Sequence, residues 1–361
     1  MRALITTDTV GGVFSYCADL IRGLREEGVE VVVAGMGGRL SAEQREALAG
    51  VAVYESSLRL EWMSDPWEDL AEAQEWLLDI ERRERPDVIH ANSYFCGGVE
   101  WRAPVLVVAH SCVFSWWHAV HGCAPPRSWE RYFQVVQAGL RCAGAAVAVS
   151  QAMRDAIENI YGAPRSRTRV IHNGSSAPAF RADAKQPFVL AAGRLWDEAK
   201  NLGALERAAE HADIPVLVAG EARAPGGQPA HPDNTSVQLL GQLPPAELAH
   251  LRRRAAVFAA PARYEPFGLA ILEAARDRCA LVLGDIPSLR EIWGDAAMYV
   301  DPDDDRTLTG TLTRLIADAP SAAALGARAQ RHSARYSTVA MARSYRALYR
   351  ELIDHKGALA A

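Results

Sequence analysis

Residues 187–201 read Pro-Phe-Val-Leu-Ala-Ala-Gly-Arg-Leu-Trp-Asp-Glu-Ala-Lys-Asn. An apolar run stops at Gly193, and the polar stretch that follows opens a helical pattern. This is how a strand buried on both faces hands over to a crossover helix. The chain begins in the same way, with a strand at 2–7, the turn Thr7-Asp8-Thr9-Val10-Gly11-Gly12-Val13 and then a helix. A pattern that starts twice predicts an α/β protein of two doubly wound Rossmann-like domains facing each other across a cleft.

Working outward, the first half has strand candidates at 2–7, 29–34, 51–54, 87–91, 104–110, 144–149 and 168–172. The second has them at 187–192, 215–219, 236–240, 257–261, 280–284 and 297–300. After Asp65-Pro66, with Asp65 as cap, Trp67, Leu70, Ala73, Leu77 and Ile80 recur at helical spacing, which also buries Trp67 and Trp76. Turn chemistry over 174–186 marks a linker. From about 303 the tail reads as successive helices, one broken at Pro320-Ser321 and another started by Tyr336-Ser337-Thr338. The expected domains are 1–174, 175–337 and a C-terminal helix segment, 338–361.

At 361 residues, of which 49% are hydrophobic and 23% charged, the chain has enough apolar material for such cores. Lys plus Arg number 39 against 44 Asp plus Glu, so the basic excess that nucleic acid would require is lacking. Cys17, Cys96, Cys112, Cys123, Cys142 and Cys279 form no C-x-x-C pair, which suits a cytoplasmic protein. Neither a leader nor an apolar run long enough for a membrane helix is expected, and peripheral membrane contact stays open.

In doubly wound domains ligands bind where strands end, so the loops at 8–13, 92–97, 110–123, 193–201, 220–230, 241–244 and 262–268 matter most. The strongest signal is Pro261-Ala-Arg-Tyr-Glu265-Pro266-Phe267-Gly268-Leu269-Ala-Ile-Leu-Glu273-Ala274, with seven residues between its glutamates. Pro266 suits a helix start, and free N–H groups at Phe267, Gly268 and Leu269 would receive an anion. Glu265 and Glu273 fall too far apart along the chain for one acid/base dyad. They would touch different parts of an extended ligand, or Glu265 would merely complement the helix dipole. Arg194 and Lys200 leave one strand end together, suited to a departing diphosphate, or else to a surface ion-pair cluster with Asp197 and Glu198. Gly11 and Gly12 allow close backbone approach, or simply a tight turn, while neither G-x-G-x-x-G nor a P-loop occurs. His110 ends a strand and could hydrogen-bond a hydroxyl or move a proton, or be structural. His118, His121 and Cys123 lack zinc-like spacing, and no metal site is expected. Trp116 and Trp117, in the loop after His110, could cover an apolar or sugar-ring acceptor, core packing being the plainer reading.

Taken in order, these pieces resemble the retaining GT-B glycosyltransferases of family four (glycosyl transferases group 1): a Gly-Gly loop, a His after a central strand, Gly-Arg-Leu...Lys-Asn, then E-x7-E. The resemblance spans nearly the whole chain. It implies that Arg194 and Lys200 hold the donor diphosphate, Glu273 the ribose, and Glu265 the donor sugar. It puts Phe267, Gly268 and Leu269 at sugar and phosphate, Gly12 near the phosphates, His110 near the transferred sugar, and Gly241-Gln242-Leu243 at the base. It makes Asn173-Gly174 the interdomain turn and returns the last helix, 338–356, to the first domain. The Arg194–Lys200 interval is one residue longer than the commonest family form, and Ser175-Ser176 replace the apolar residue and Asp often found there. The function implied is retaining transfer from a nucleotide-diphosphate sugar, UDP before GDP, without cofactor or metal, to an unidentified saccharide, lipid-linked or small-molecule acceptor. The alternatives are a nucleotide-sugar epimerase or hydrolase and a noncatalytic sensor.

Overall fold

The computed structural model describes residues 1–9, 11–176, 184–221 and 236–360. Val10, most of the 174–186 linker and the 220–230 loop beyond Glu221 lie outside the described residues.

Thirteen strands are formed among the described residues, at all the positions read from the sequence. They are β1 (Arg2–Asp8), β2 (Glu30–Met36), β3 (Ala52–Glu55), β4 (Val88–Ala91), β5 (Val105–Ala109), β6 (Ala145–Ala148) and β7 (Thr168–Val170), then β8 (Gln186–Ala192), β9 (Val216–Ala219), β10 (Gln238–Gly241), β11 (Ala255–Ala260), β12 (Ala280–Gly284) and β13 (Met298–Val300). The first seven make a parallel sheet in the order β3-β2-β1-β4-β5-β6-β7, and the other six make a parallel sheet in the order β10-β9-β8-β11-β12-β13. The helices are α1 (Gly12–Glu26), α2 (Ala42–Ala47), α3 (Trp67–Glu84), α4 (Val113–His121), α5 (Glu130–Cys142), α6 (Gln151–Tyr161), α7 (Leu202–His211), α8 (Pro245–Arg254), α9 (Leu269–Arg276), α10 (Pro287–Trp293), α11 (Asp305–Ala317), α12 (Ala319–Ser333) and α13 (Thr338–Ala360).

The chain divides into two compact units. Unit 1 comprises Met1–His118, Gly122–Ser176 and Ser337–Ala361; unit 2 comprises Ala177–Tyr336 with Ala119–His121. Unit 1 is centred on apolar strand residues such as Leu4, Ile5, Val33, Ile89 and Val107, all fully buried. Against them α13 brings Tyr345 and Tyr349, also fully buried, and Gly23 of α1 has no room for a Cβ beside Ala342. Unit 2 has its own core, in which Val189, Val218, Val257 and Val282 pack with Leu205, Leu312 and Leu325 from helices. In each sheet the strand order reverses beside the first strand, between β1 and β4 and between β8 and β11. In doubly wound sheets the carboxyl edge at such a reversal is the usual ligand position, because the crossovers on its two sides go to opposite faces.

Local details differ from the sequence reading where backbone geometry intervenes. Asp65 does not cap α3: it takes a left-handed φ of 43°, and Pro66 is the cap residue, its carbonyl accepting the Leu70 N–H at 2.9 Å. Leu70, Ala73, Leu77 and Ile80 are buried as their spacing requires. Trp67 and Trp76 are only half-buried, and Trp67 carries the Arg131 guanidinium 4.2 Å above its ring. Pro320 stands in the first turn of α12 rather than inside a helix it breaks, since a proline there loses no hydrogen bond, and Asp318 caps α12 by accepting the Ser321 N–H.

Candidate active site

The unit 2 switch point lies between the loops after β8 and β11. After Ala192 the chain turns at Gly193, and the buried Asp197 accepts the Ala199 N–H at 3.1 Å, capping a short 3-10 turn, Glu198–Lys200. Asp197 also takes the Arg194 guanidinium at 2.9 Å, the Arg194 side chain remaining 40% exposed, and the Trp196 ring lies 5.2 Å from that guanidinium. Asn201 then adopts a left-handed φ of 57° and donates from Nδ2 to the carbonyls of Pro261 and Pro302 at 3.0 and 2.7 Å. The Ala199 carbonyl accepts the Arg263 N–H at 2.9 Å. These bonds tie the β8 loop to the β11 loop and bring Lys200 Nζ to 2.6 Å from Glu265 Oε2. The surface-cluster alternative is therefore realised in part: Arg194 pairs with Asp197, while Lys200 reaches across 65 residues to Glu265.

Glu265 is fixed from behind, its carbonyl accepting the Ser288 hydroxyl at 2.7 Å. The helix that follows starts later than Pro266 suggests. Gly268 has φ +87°, which cannot continue a right-handed helix, so α9 begins at Leu269 and its free N–H groups are those of Leu269 onward. Phe267 is buried edge-on against Tyr336, with centroids 5.5 Å apart. A Cβ at Gly268 would fall 2.7 Å from Ile271 Cδ1. Glu273, on α9, pairs with Arg252 of α8 at 2.8 Å, and Arg252 also holds Asp277 at 3.0 Å. The two glutamates thus have different cationic partners, in keeping with separate tasks. At the neighbouring strand ends, Gly220 has φ +145° and leaves no space for a Cβ, which would fall 1.7 Å from the Gly193 carbonyl oxygen. Gly241 closes β10 at φ +68° with its carbonyl accepting the Gly220 N–H at 2.8 Å, and Leu243 is half-buried just beyond.

The unit 1 switch point joins the loops after β1 and β4. Gly11, at φ 79°, is the cap residue of α1 and supplies no side-chain bond, so the first N–H groups of a 15-residue helix end in exposed backbone. A Cβ on Gly12 would meet nothing within 4 Å. His110 follows β5, half-buried, with Nε2 2.7 Å from Asn92 Oδ1 and its ring edge-on to Tyr16 at 4.6 Å. Burial pushes its pKa down to about 3, so the ring is neutral at physiological pH. Behind it His90, wholly buried, is likewise lowered to about 3, first by burial and then by His110, and lies 2.7 Å from the Tyr349 hydroxyl of α13 and 3.2 Å from that of Tyr16.

Trp116 and Trp117 sit on α4, not in a loop. Cys112 caps this helix, Gly122 ends it in the left-handed conformation, none of its residues is buried, and the two indoles meet edge-on at 5.9 Å. The apolar run closed by Gly122 was the sequence signal for it. Asp301-Pro302-Asp303 and Asp303-Asp304-Asp305 do carry the Asp-x-Asp interval of metal sites. Here Asp303 pairs with Arg263, Asp304 caps α11 and Asp305 pairs with Arg207, and among the described residues no group of three His, Cys, Asp or Glu could hold a metal. Asn92, Tyr16 and Arg252 were not singled out in the sequence. Only Asn92 had a signal, as the first residue after strand 87–91. The described cysteines are free thiols, and no helix among the described residues is long and apolar enough to cross a membrane.

Residues 10–176 match the family described as Glycosyltransferase Family 4, and residues 175–332 match Glycosyl transferases group 1. A glycogen synthase of Mycobacterium tuberculosis is 29% identical over 281 residues, 70% of this chain and 66% of that protein, so the match spans just under two thirds of its length. Sucrose-phosphate synthase from Thermosynechococcus elongatus superposes with a TM-score of 0.80 at 20% identity, covering 98% of this chain and 99% of the other. Anabaena Alr3699/HepE, solved with UDP-glucose, superposes with a TM-score of 0.76 at 18% identity, covering 98% and 100%.

Proposed function

We propose that this chain, which belongs to the GT-B glycosyltransferases of family four and group 1, moves a sugar from a nucleotide-diphosphate sugar to an acceptor with retention at the anomeric carbon. The observation that carries the reading is the 2.6 Å pairing of Lys200 with Glu265, beside Arg194, at the switch point of unit 2. Two fixed cations at a strand edge suit a diphosphate whose charge grows as it leaves, and electrostatic stabilisation of that charge supplies much of the rate. Lys200 would exchange its carboxylate partner for phosphate oxygen, releasing Glu265 to accept hydroxyls of the donor sugar. Glu273 would hold the ribose, Gly241 and Leu243 the base, and the backbone of Phe267, Gly268 and Leu269 the sugar and phosphate. The bare start of α1 at Gly11 and Gly12 suits phosphate, and a neutral His110 suits a hydrogen bond to a sugar hydroxyl rather than proton transfer near pH 7.

Glu265 and Glu273 are held by different cations, Lys200 and Arg252, so retention is assigned to a front-face route and not to a double displacement by a carboxylate pair. A donor phosphate oxygen would instead take the acceptor proton while the acceptor enters on the face the diphosphate leaves. Arg194 and Lys200 would do the work of a metal, so none is required. The donor is a UDP-sugar in preference to a GDP-sugar, and residues 1–174 with 338–361 would serve the acceptor, residues 175–337 the donor. Trp116 and Trp117 would line the acceptor side, for a saccharide, lipid-linked or small-molecule acceptor met in the cytoplasm or at a membrane surface.

The test is nucleotide release from UDP-glucose and GDP-mannose with and without candidate acceptors, with the product anomer read by NMR. Release only with acceptor, and a retained anomer, is expected. Release without acceptor would make the protein a hydrolase, and binding without turnover would make it a nucleotide-sugar sensor.

A further inference from the structure

We infer that Asn92 is a positioning residue that holds His110 as the Nε2–H tautomer, leaving Nδ1 as a bare acceptor at the carboxyl edge of the unit 1 sheet. Asn92 is the first residue after β4, and its amide is fixed by partners that allow one orientation. Its backbone N–H donates to Thr6 Oγ1 at 2.9 Å, and its Nδ2 donates to the Thr6 carbonyl at 2.7 Å, with Cys17 Sγ 3.2 Å away. A backbone carbonyl only accepts, so the amide cannot be flipped without setting two oxygens against each other. Oδ1 is therefore the atom that faces His110 Nε2 at 2.7 Å, and because an amide oxygen carries no proton the ring nitrogen must donate.

In a neutral imidazole one protonated nitrogen leaves the other with a lone pair. Burial keeps this ring neutral, and its neighbours offer no counter-charge: Tyr16 of α1 lies edge-on at 4.6 Å, and His90 of β4 is itself held neutral by burial. Tyr345 and Tyr349 of α13 close the far side of His90, and burial raises both phenols, so they too stay uncharged at neutral pH. The acceptor at Nδ1 selects a ligand group that can donate, which is a hydroxyl, and disfavours a phosphate or carboxylate oxygen that can only accept. What the hydroxyl belongs to rests on the proposed function, where it is one of the transferred sugar. The tautomer itself does not rest on that reading.

The test uses the full chain labelled with ¹⁵N-histidine, whose imidazole ¹H–¹⁵N correlations distinguish protonated from bare nitrogens, His110 being assigned from the His110→Gln spectrum. Between pH 6 and 8 the expected spectrum has Nε2 protonated and Nδ1 bare. Adding UDP-glucose should shift the Nδ1 resonance as it accepts a hydrogen bond. Asn92→Ala should move both nitrogens toward exchange-averaged values. It should also lower UDP release about tenfold, with no further loss when combined with His110→Gln. Should the alanine variant fail to fold, Asn92→Asp serves. Its carboxylate would stabilise the doubly protonated ring, bring the second proton on near neutral pH, and move the acid limb of the pH–rate profile upward. A protonated Nδ1 in the parent protein, or Asn92 variants that leave the His110 resonances in place, would overturn the inference. If the tautomer is as stated but neither UDP-glucose nor GDP-mannose shifts Nδ1 or turns over, the proposed function fails while the role of Asn92 stands.

Discussion

At the switch point of unit 2, the ionisable side chains of Arg194, Lys200 and Glu265 stand near water, 40, 23 and 19% exposed. At that of unit 1, His110, Asn92 and Tyr16 make their contacts without a formal charge, and burial keeps the imidazole neutral. The strand order around both points is the same, so the fold does not account for the contrast. Desolvation does. A cation meant for a diphosphate must survive without its ligand, which partial exposure and an exchangeable carboxylate permit. A hydroxyl is recognised by direction rather than charge, and an uncharged, hydrogen-bonded pair such as His110 and Asn92 fixes direction best.

The largest effect that would break this contrast is loss of a unit 2 cation. Arg194→Ala, and likewise Lys200→Ala, should lower turnover by about a hundredfold, on the order of 3 kcal/mol of transition-state stabilisation. Melting temperatures should shift much less than turnover: Lys200 is a partly exposed partner of Glu265, and Asp197, though buried, keeps the Ala199 N–H when Arg194 is removed. Near-normal turnover in a well-folded variant would show the charges to be ordinary surface pairs.

Next in size is the pH dependence of unit 1. His90 has a folded pKa of about 3 against an ordinary 6.5, so below pH 6.5 the unfolded chain binds a proton that the folded one refuses. Stability should therefore fall as pH drops from about 6.5 toward 3, by ~1.4 kcal/mol per pH unit from this residue. Buried Glu61, with its pKa raised by desolvation, acts in the opposite sense, so the readout is the difference between the parent and His90→Gln in denaturation midpoints at pH 7, 6 and 5. A variant with an unchanged slope would mean that keeping His90 neutral costs the fold nothing.

A smaller change sharpens the assignment of the acceptor to unit 1. Since no residue of α4 is buried, Trp117→Ala should cost little stability. It should raise the acceptor KM several-fold, corresponding to about 1 kcal/mol, with the donor KM unchanged. Equal losses for donor and acceptor would remove Trp117 from the acceptor site. The smallest expected effect is that of EDTA, which should leave turnover within about twofold if Arg194 and Lys200 serve the diphosphate unaided. Activity lost to EDTA and restored by Mg²⁺ or Mn²⁺ would assign part of that charge to a metal.

Local pattern was enough for the strands, the two starts of the Rossmann grammar, and the loops that carry Gly11, His110, Arg194 and Glu265. A strand buried on both faces must be a short apolar run, and its end must be polar or glycine, so neighbours in the chain contain the information. The start of α9 was misplaced because Pro266 tolerates a helix start, whereas Gly268 at φ +87° forbids one before Leu269. Asp65 failed as a cap for the same kind of reason, its φ of 43° being set by the turn around it.

Tertiary structure alone decided the partners. Lys200 finds Glu265 because β8 and β11 are adjacent in the sheet, although 65 residues separate the two in the chain. Asn92 can orient His110 because β4 lies beside β5 while Thr6 of β1 fixes the amide from the other side. Tyr349 reaches His90 across 259 residues because α13 packs on unit 1. Which strands end up as neighbours is settled by crossovers that bury the whole sheet at once, and that is a property of the packed chain, not of any segment of it.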